Sequence, residues 1–333
     1  MKRFLIAFIA VLAVFTVCQT NKASGLANGT VKFIIPQKNY GIIAEFENNR
    51  IKETGKINIP YTSKSVFLEN RLIVSLCPDG LRIFDEYGKQ LLSKDFPQKF
   101  TSINCKGNVV YLGGQYDNKN NELAAYFDLT NINFNMNDIN IPISPAEGKS
   151  IDDILIRNNA LFLVDNIIFP KYLFEYDIGI PNNPTYRRTV ELKNNGTYEH
   201  IIKGDINNNW IILLSSSAGM SGSYRHISII GKNGEWNESL FFSLQSEKNT
   251  ELIIQQTRSR WIEISIPILD IGVINNNLLI LSEDGLYSID LTRNITNENI
   301  TKIRDNKNKY EKLLKINNQF FILLNEEKYE LLL

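Results

Sequence analysis

The chain has 333 residues, 43% hydrophobic and 22% charged, enough apolar content for one large core or two ordinary ones. Its 36 Lys and Arg balance its 36 Asp and Glu, so no global field steers it to nucleic acid or to an anionic membrane surface. With only 2 histidines, a poly-His metal centre is excluded.

At the N-terminus, "MKRFLIAFIAVLAVFTV" places two cations before an apolar run too short to span a bilayer comfortably, followed by the polar "CQTNKASGLANG". This layout predicts a secretory signal peptide over 1–25, with small residues near Gly25 and Ala27 suited to a peptidase, and an uncleaved anchor as the alternative. Cys18 is a candidate lipidation site, although Val17 stands where a small residue is the rule for acylation. The expected product is an exported domain over 28–333: periplasmic, secreted or at the cell surface, and bacterial. Contact with a membrane would come only through a lipid at Cys18.

From there on the chain repeats itself. "SVFLENRLIVSL" (65–76), "FTSINCKGNVVYL" (100–112), "DDILIRNNALFLV" (152–164), "HIIKGDINNNWIILL" (200–214), "LDIGVINNNLLIL" (269–281) and "EKLLKINNQFFILL" (311–324) each read as strand, short turn, strand. Asn and Gly dominate the turns because they tolerate the left-handed backbone that tight hairpins need. After five of the phrases comes a second hairpin, such as "GLRIFDEYGKQLLSKDF" or "GLYSIDLTRNITNENITKI", whose last strand is the most polar. Four antiparallel strands graded from buried to wet, recurring along the chain, describe the blade of an all-β propeller.

The ends look complementary. "FFILLNEEKYELLL" supplies early blade strands, whereas "GIIAEFENNRIKETGKINIP" resembles third and fourth strands. Joining them predicts a six-bladed propeller with one blade shared between the termini, which would remove two sheet edges. "VKFII" (31–35) is then left over; if it and the C-terminal strands belong to separate blades, the number is seven.

Around Tyr176, Asp177, Pro181 and Pro184, the phrase "YLFEYDIGIPNNPTYRRTVEL" resembles the LVIVD-type repeats of bacterial surface propellers, with Gly179 near the place of their serine. The resemblance covers one blade and implies an exported propeller with no defined activity. "SEDGLYS" (282–288) lacks the spacer of an Asp box and reads as a tight turn.

Strand order sorts the loops. Turns between first and second, and third and fourth, strands lie on one face; turns between second and third strands, and blade connections, lie on the other. The long excursions 113–122, 215–226 and 245–267 all fall on the second face. They make Tyr116, Tyr224, Arg225, Arg258, Arg260 and Trp261 candidate binding residues, of the types enriched at hot spots. The alternative is that 245–267 only adds a hairpin. Cys77 and Cys105 fall near opposite faces, too far apart for a disulfide, so free thiols are expected.

The starts of the inner strands line a central channel. Lys64, Thr101, Asp153, Ile202, Asp270 and Lys312 occupy equivalent positions, with Asp152 and His200 beside them. Two acids and two bases could hold a small ligand or a cation, or could simply pair with one another. No phosphate loop, HExxH, CxxC or G-x-S-x-G motif occurs. Ser221 and Ser223 near His226 carry no specified base and orienting acid. No catalytic residue, metal site or cofactor is therefore assigned. The expected function is a non-enzymatic module binding a protein, peptide or glycan. The alternatives are a channel-centred hydrolase or lyase, which a cation could assist, and a purely structural surface protein.

Overall fold

The computed structural model describes residues 30–333 apart from 96–99, 115–123, 132–133, 143–149, 166–170, 193–198, 220–221, 232–235, 245–249, 257–259, 265–267, 294–298, 317–319 and 333. The signal-peptide and Cys18 expectations lie outside these residues. The described residues form seven antiparallel sheets. Blade 1 comprises β1 (Val31–Pro36), β2 (Gly41–Glu47) and β3 (Arg50–Ile57). Blade 2 holds β4 (Lys64–Phe67), β5 (Ile73–Cys77), β6 (Gly80–Phe84) and β7 (Gln90–Lys94). Blade 3 holds β8 (Phe100–Lys106), β9 (Val109–Gly114), β10 (Ala124–Asp128) and β11 (Asn137–Asp138). Blade 4 holds β12 (Ile151–Arg157), β13 (Ala160–Asp165), β14 (Lys171–Asp177) and β15 (Thr185–Leu192). Blade 5 has six strands: β16 (Glu199–Ile206), β17 (Trp210–Gly219), β18 (Gly222–Gly231), β19 (Trp236–Leu244), β20 (Thr250–Gln256) and β21 (Arg260–Ile264). Blade 6 holds β22 (Ile268–Ile274), β23 (Asn277–Ser282), β24 (Gly285–Asp290) and β25 (Ile300–Asp305). Blade 7 has β26 (Lys312–Lys315), β27 (Phe321–Leu324) and β28 (Tyr329–Leu332).

All six repeated phrases form the first hairpin of their blades. The turn chemistry is as read: Asn158 and Asn275 adopt φ of 55° and 51°, and Gly107 adopts 61°. Asn207 instead turns the chain with its side chain, accepting from the Asn209 and Trp210 N–H groups at 2.9 and 3.0 Å. The polarity gradient also holds. Every residue of β5, β9, β13 and β27 is buried, whereas β7, β11 and β25 are largely exposed. A second strand is covered on both faces by the adjacent blades, which is why it is continuously apolar.

The expectation of six blades is corrected to seven. β28 takes the outer edge of β27, with Phe321 opposite Leu332, and so fills the third-strand place expected for an N-terminal strand. β1 pairs with β2, and the two termini remain in separate sheets. Side-chain packing joins them instead. Phe33, Ile35, Ile42, Ala44 and Phe46 of blade 1 share a core with Ile322 and Leu324 of blade 7. Phe46 and Phe320 pack at a tilt, with ring centroids 4.7 Å apart and planes at 51°. Six further apolar clusters fill the remaining interfaces, one for each adjacent pair of blades. Hydrophobic burial closes the ring without a shared strand ladder, helped by bonds from Lys38 N to Glu326 O at 3.0 Å and from Tyr329 Oη to Glu53 Oε1 at 2.5 Å.

Strand direction adds a detail the count alone hides. β3 leads through a short link to the start of β4, and β1 runs parallel in direction to β3 because both pair antiparallel with β2. β1 therefore runs opposite to the inner strands and has the direction of a second strand. Among the described residues, blade 1 contributes strands two to four and no innermost strand.

Two of the long excursions prove to be sheet. The segment 215–226 continues the β17–β18 ladder out to Gly219 opposite Gly222. Within 245–267, β20 and β21 add two strands beyond β19, so β19 is not the edge of its blade. Small and polar residues there resemble loop composition, but a ladder needs only backbone groups. Cys77 and Cys105 are free thiols, as expected.

Candidate functional site

Each inner strand enters the channel beside the end of its second strand, and in four blades a β-bulge interrupts that pairing. The bulges fall between Phe100 and Ser102, Ile151 and Asp153, Ile201 and Lys203, and Ile268 and Asp270. One extra residue shifts the side chain that points into the ring. The register identifies the equivalent positions as Lys64 opposite Leu76, Ser102 opposite Gly113, Asp153 opposite Val164, Lys203 opposite Leu214, Asp270 opposite Leu281, and Lys312 opposite Leu324. Two expected ring members are corrected by one place: Ser102 replaces Thr101, and Lys203 replaces Ile202.

A cavity of about 410 Å³ opens at this mouth. Lys64, Asp153, Lys203, Asp270 and Lys312 line it, with Ile34 and Pro36 at the end of β1 and Leu324 at the end of β27. Six of the seven blades contribute; blade 3 does not. Ile202 is on the wall, whereas Thr101 and His200 are not. His200 is largely exposed, its Nδ1 3.9 Å from Asp152 Oδ2.

The carboxylates tie neighbouring blades together through main-chain N–H groups. Asp153 accepts from Ile154 N at 2.9 Å and from Gly204 N of the next blade at 2.5 Å. Asp270 accepts from Ile271 N at 2.8 Å and from Leu313 N of the next blade at 2.7 Å. Asp205, deeper in the channel, repeats the pattern with Ile206 N and Val273 N. Asn104 does the same in blade 3, accepting from Cys105 N and donating to Ile154 O at 2.9 Å. These side chains substitute for the ladder bonds that divergent inner strands cannot make to one another.

Two lysines belong to the same framework. Lys203 donates to Asp270 Oδ2 at 2.8 Å and to Leu313 O at 2.6 Å. Lys315 donates to Asp205 Oδ1, Ile206 O and Val273 O at 2.7–3.0 Å. By contrast, Lys64 and Lys312 have no ion pair or hydrogen bond among the described residues. Lys312 Nζ sits 3.7 Å above the ring of Tyr61, a cation–π contact. Burial lowers the Lys312 ammonium below its usual value; Asp270 and Glu311 oppose that shift, and Lys203 and Lys64 add to it. Burial pushes the Asp153 carboxyl up, against the field of Lys64 and its N–H donors. Tyr61 is buried without a hydrogen bond of normal geometry to its hydroxyl. Burial first, then the Glu311 charge, push its phenol up.

Of the loop-face candidates, only Arg225 has a described side chain. It stands on β18 opposite Ser216, with Nε and Nη1 buried and, among the described residues, without hydrogen-bond partners. Burial lowers its pKa, and the field of Asp270 opposes this. Tyr224 lies on β18, and Arg260 and Trp261 lie on β21, with side chains outside the described residues; Tyr116 and Arg258 lie outside them altogether. β21 is five strands out from β16, roughly 24 Å at the usual spacing, so Arg260 and Trp261 are not part of the channel mouth. Lys203, Tyr61 and Glu311 were missed in the sequence. A bulge allowance at the strand starts would have found Lys203; Tyr61 and Glu311 carry no sequence signal. Among the described residues, no cluster of His, Cys, Asp or Glu is placed to hold a metal ion.

The architecture is that of a β-propeller. No family model matches the chain, and no curated protein matches it, so the likeness of blade 4 to LVIVD repeats finds no support there. Solved structures share the fold. The extracellular domain of the putative one-component system BT4673 from B. thetaiotaomicron superposes with a TM-score of 0.51 at 12% identity, covering 91% of this chain and 38% of that one. The Neurospora crassa Pan2 WD40 domain gives 0.54 at 9% identity, covering 89% and 82%. The computationally designed Ika8 protein gives 0.51 at 12%, covering 92% and 96%. This chain thus spans well under half of the bacterial chain that it matches. At such identities the likeness shows fold alone.

Proposed function

We propose that this protein is an exported, non-enzymatic binding module that receives a protein, peptide, glycan or small ligand on the face bearing the channel mouth. The observation that carries this reading is the cavity of about 410 Å³, built by six blades on one face. Its size is in the range of ligand pockets. The same face bears the second-to-third turns, including the long β17–β18 hairpin. Export is supported by the N-terminal layout of two cations, an apolar run and small residues, and by the extracellular location stated for the bacterial structural neighbour. The bonds from Asp153 and Asp270 to neighbouring main chain favour a framework role for those acids over catalysis.

The test is a thermal-shift screen of short peptides, oligosaccharides and small organic ions, with hits mapped by hydrogen exchange. Protection at 34–36, 62–65, 202–204, 269–270 and 311–314 supports the reading. Protection confined to the Asn turns of the opposite face, at 48–49, 158 and 275, would sink it.

A further inference from the structure

Taking the channel mouth as the binding face, the charges in it specify what kind of ligand it takes. The ring of inner-strand starts reads Lys64, Ser102, Asp153, Lys203, Asp270, Lys312 in chain order. Each aspartate has both oxygens engaged by N–H groups, and Asp270 also holds Lys203. Lys64 and Lys312 stand at the two ends of that series, flanking blade 1. Among the described residues, blade 1 supplies no inner strand, so no ring side chain stands between them with an opposite charge. Residues 1–29 contain no Asp or Glu, so that segment has no carboxylate side chain to offer the pair. Among the described residues, the N–H donors of both ammoniums make no hydrogen bond, and Lys312 has only the Tyr61 ring beside it. Asp and Lys here are therefore not equivalent opportunities: the acids are committed to the framework, and the cations are not.

We infer that the mouth binds a small organic anion, whose carboxylate or phosphate is received by Lys64 and Lys312 and whose apolar body packs against Ile34, Pro36, Ile202 and Leu269. Partial burial strengthens such charge-assisted hydrogen bonds relative to those made in open solvent. The Arg225 guanidinium, whose buried Nε and Nη1 have no hydrogen-bond partner among the described residues, adds positive character on the same face. Glu311, exposed at the rim, opposes the anion, since its charge acts on both Tyr61 and Lys312.

The experiment is calorimetric titration of the protein with benzoate and phenyl phosphate, set against neutral benzamide and cationic benzylamine. Both anions should bind, or at least one of them, and at least tenfold more tightly than benzamide or benzylamine. Lys64→Gln should weaken the anion at least fivefold with the thermal midpoint unchanged, because Lys64 is exposed and unpaired. Lys312→Gln should weaken it as much, and Lys312→Arg should restore binding, which separates lost charge from lost packing. Glu311→Gln should tighten it. Benzamide or benzylamine binding as tightly as the anions would overturn the inference. So would no anion binding at millimolar concentration, or anion binding indifferent to Lys64→Gln. A neutral ligand that protects the same strand ends would leave the binding-module reading standing and remove only this one.

Discussion

Lys203 Nζ lies 2.8 Å from Asp270 Oδ2, joining the inner strands of blades 5 and 6 at the channel mouth. The same carboxylate oxygen accepts from Leu313 N in blade 7, so one side chain couples three consecutive blades. Asp270→Ala should lower stability by about 3 kcal/mol, because it leaves an ammonium and a buried N–H without their acceptor. Urea denaturation measures this. Replacing both partners, Lys203→Met with Asp270→Leu, should cost less than the single change; a larger cost would show that the pair is not the source of the effect.

Arg304 forms a two-pronged pair with Glu330, at 3.0 and 2.9 Å, and Tyr310 Oη adds a third bond at 2.9 Å. The Arg304 bonds hold the Glu330 carboxyl below its ordinary value. A depressed folded pKa stabilises above the unfolded value, about 4.3, and the gain disappears as pH falls through the lower folded value. Glu330→Gln should therefore cost up to about 1 kcal/mol at pH 7, a modest figure because the pair is partly exposed. The gap from the parent should close in strong acid. A gap that stayed constant with pH would assign the loss to packing.

Gly272 on β22 lies against the ring of Phe321 on β27: a Cβ there would sit 2.6 Å from Cε1 and Cζ. Phe321 is almost wholly buried and cannot swing aside. Gly272→Ala should cost about 2 kcal/mol by overpacking, and Phe321→Leu in the same chain should return part of it. An unchanged denaturation midpoint for Gly272→Ala would mean the interface between blades 6 and 7 is loosely packed.

Cys77 hydrogen-bonds through Sγ with Ser63, and Cys105 with Phe67 O. Burial pushes the Cys105 thiol up to about 12, leaving almost no reactive thiolate at neutral pH. Without reductant, both cysteines should be alkylated in denaturant, and Cys105 should resist alkylation in the native protein. Recovery of a Cys77–Cys105 disulfide by mass spectrometry would contradict the fold as described.

The blade repeat was readable because it rests on local rules. Asn158 and Asn275 announce left-handed turns, and the uninterrupted apolar runs of β13 and β23 announce strands covered on both faces. Blade number was not readable in the same way. Whether the ends of a ring share a sheet depends on which edge β28 occupies, and "YELL" carries no mark of its partner. Likewise the composition of 215–226 suits a loop, yet its backbone continues a ladder whose register is set by Ile227 and Leu214 inside the blade interface.

The candidate site divides along the same line. Lys64, Asp153, Asp270 and Lys312 could be placed from the sequence because each lies at or within two residues of the start of an inner strand, and strand starts follow from periodicity. Periodicity assumes an unbroken alternation, however, and one bulge residue moves the ring position from Ile202 to Lys203. The sequence by itself determined the blade units, their polarity gradient and the face to which each turn belongs, since these depend on neighbours in the chain. Only the tertiary structure decided that seven sheets close mainly by side-chain packing, that the aspartates are bound to the next blade, and that Lys64 and Lys312 have no ion pair among the described residues. Those outcomes depend on contacts between residues far apart in the chain, some more than a hundred positions from one another, as with Lys203 and Leu313.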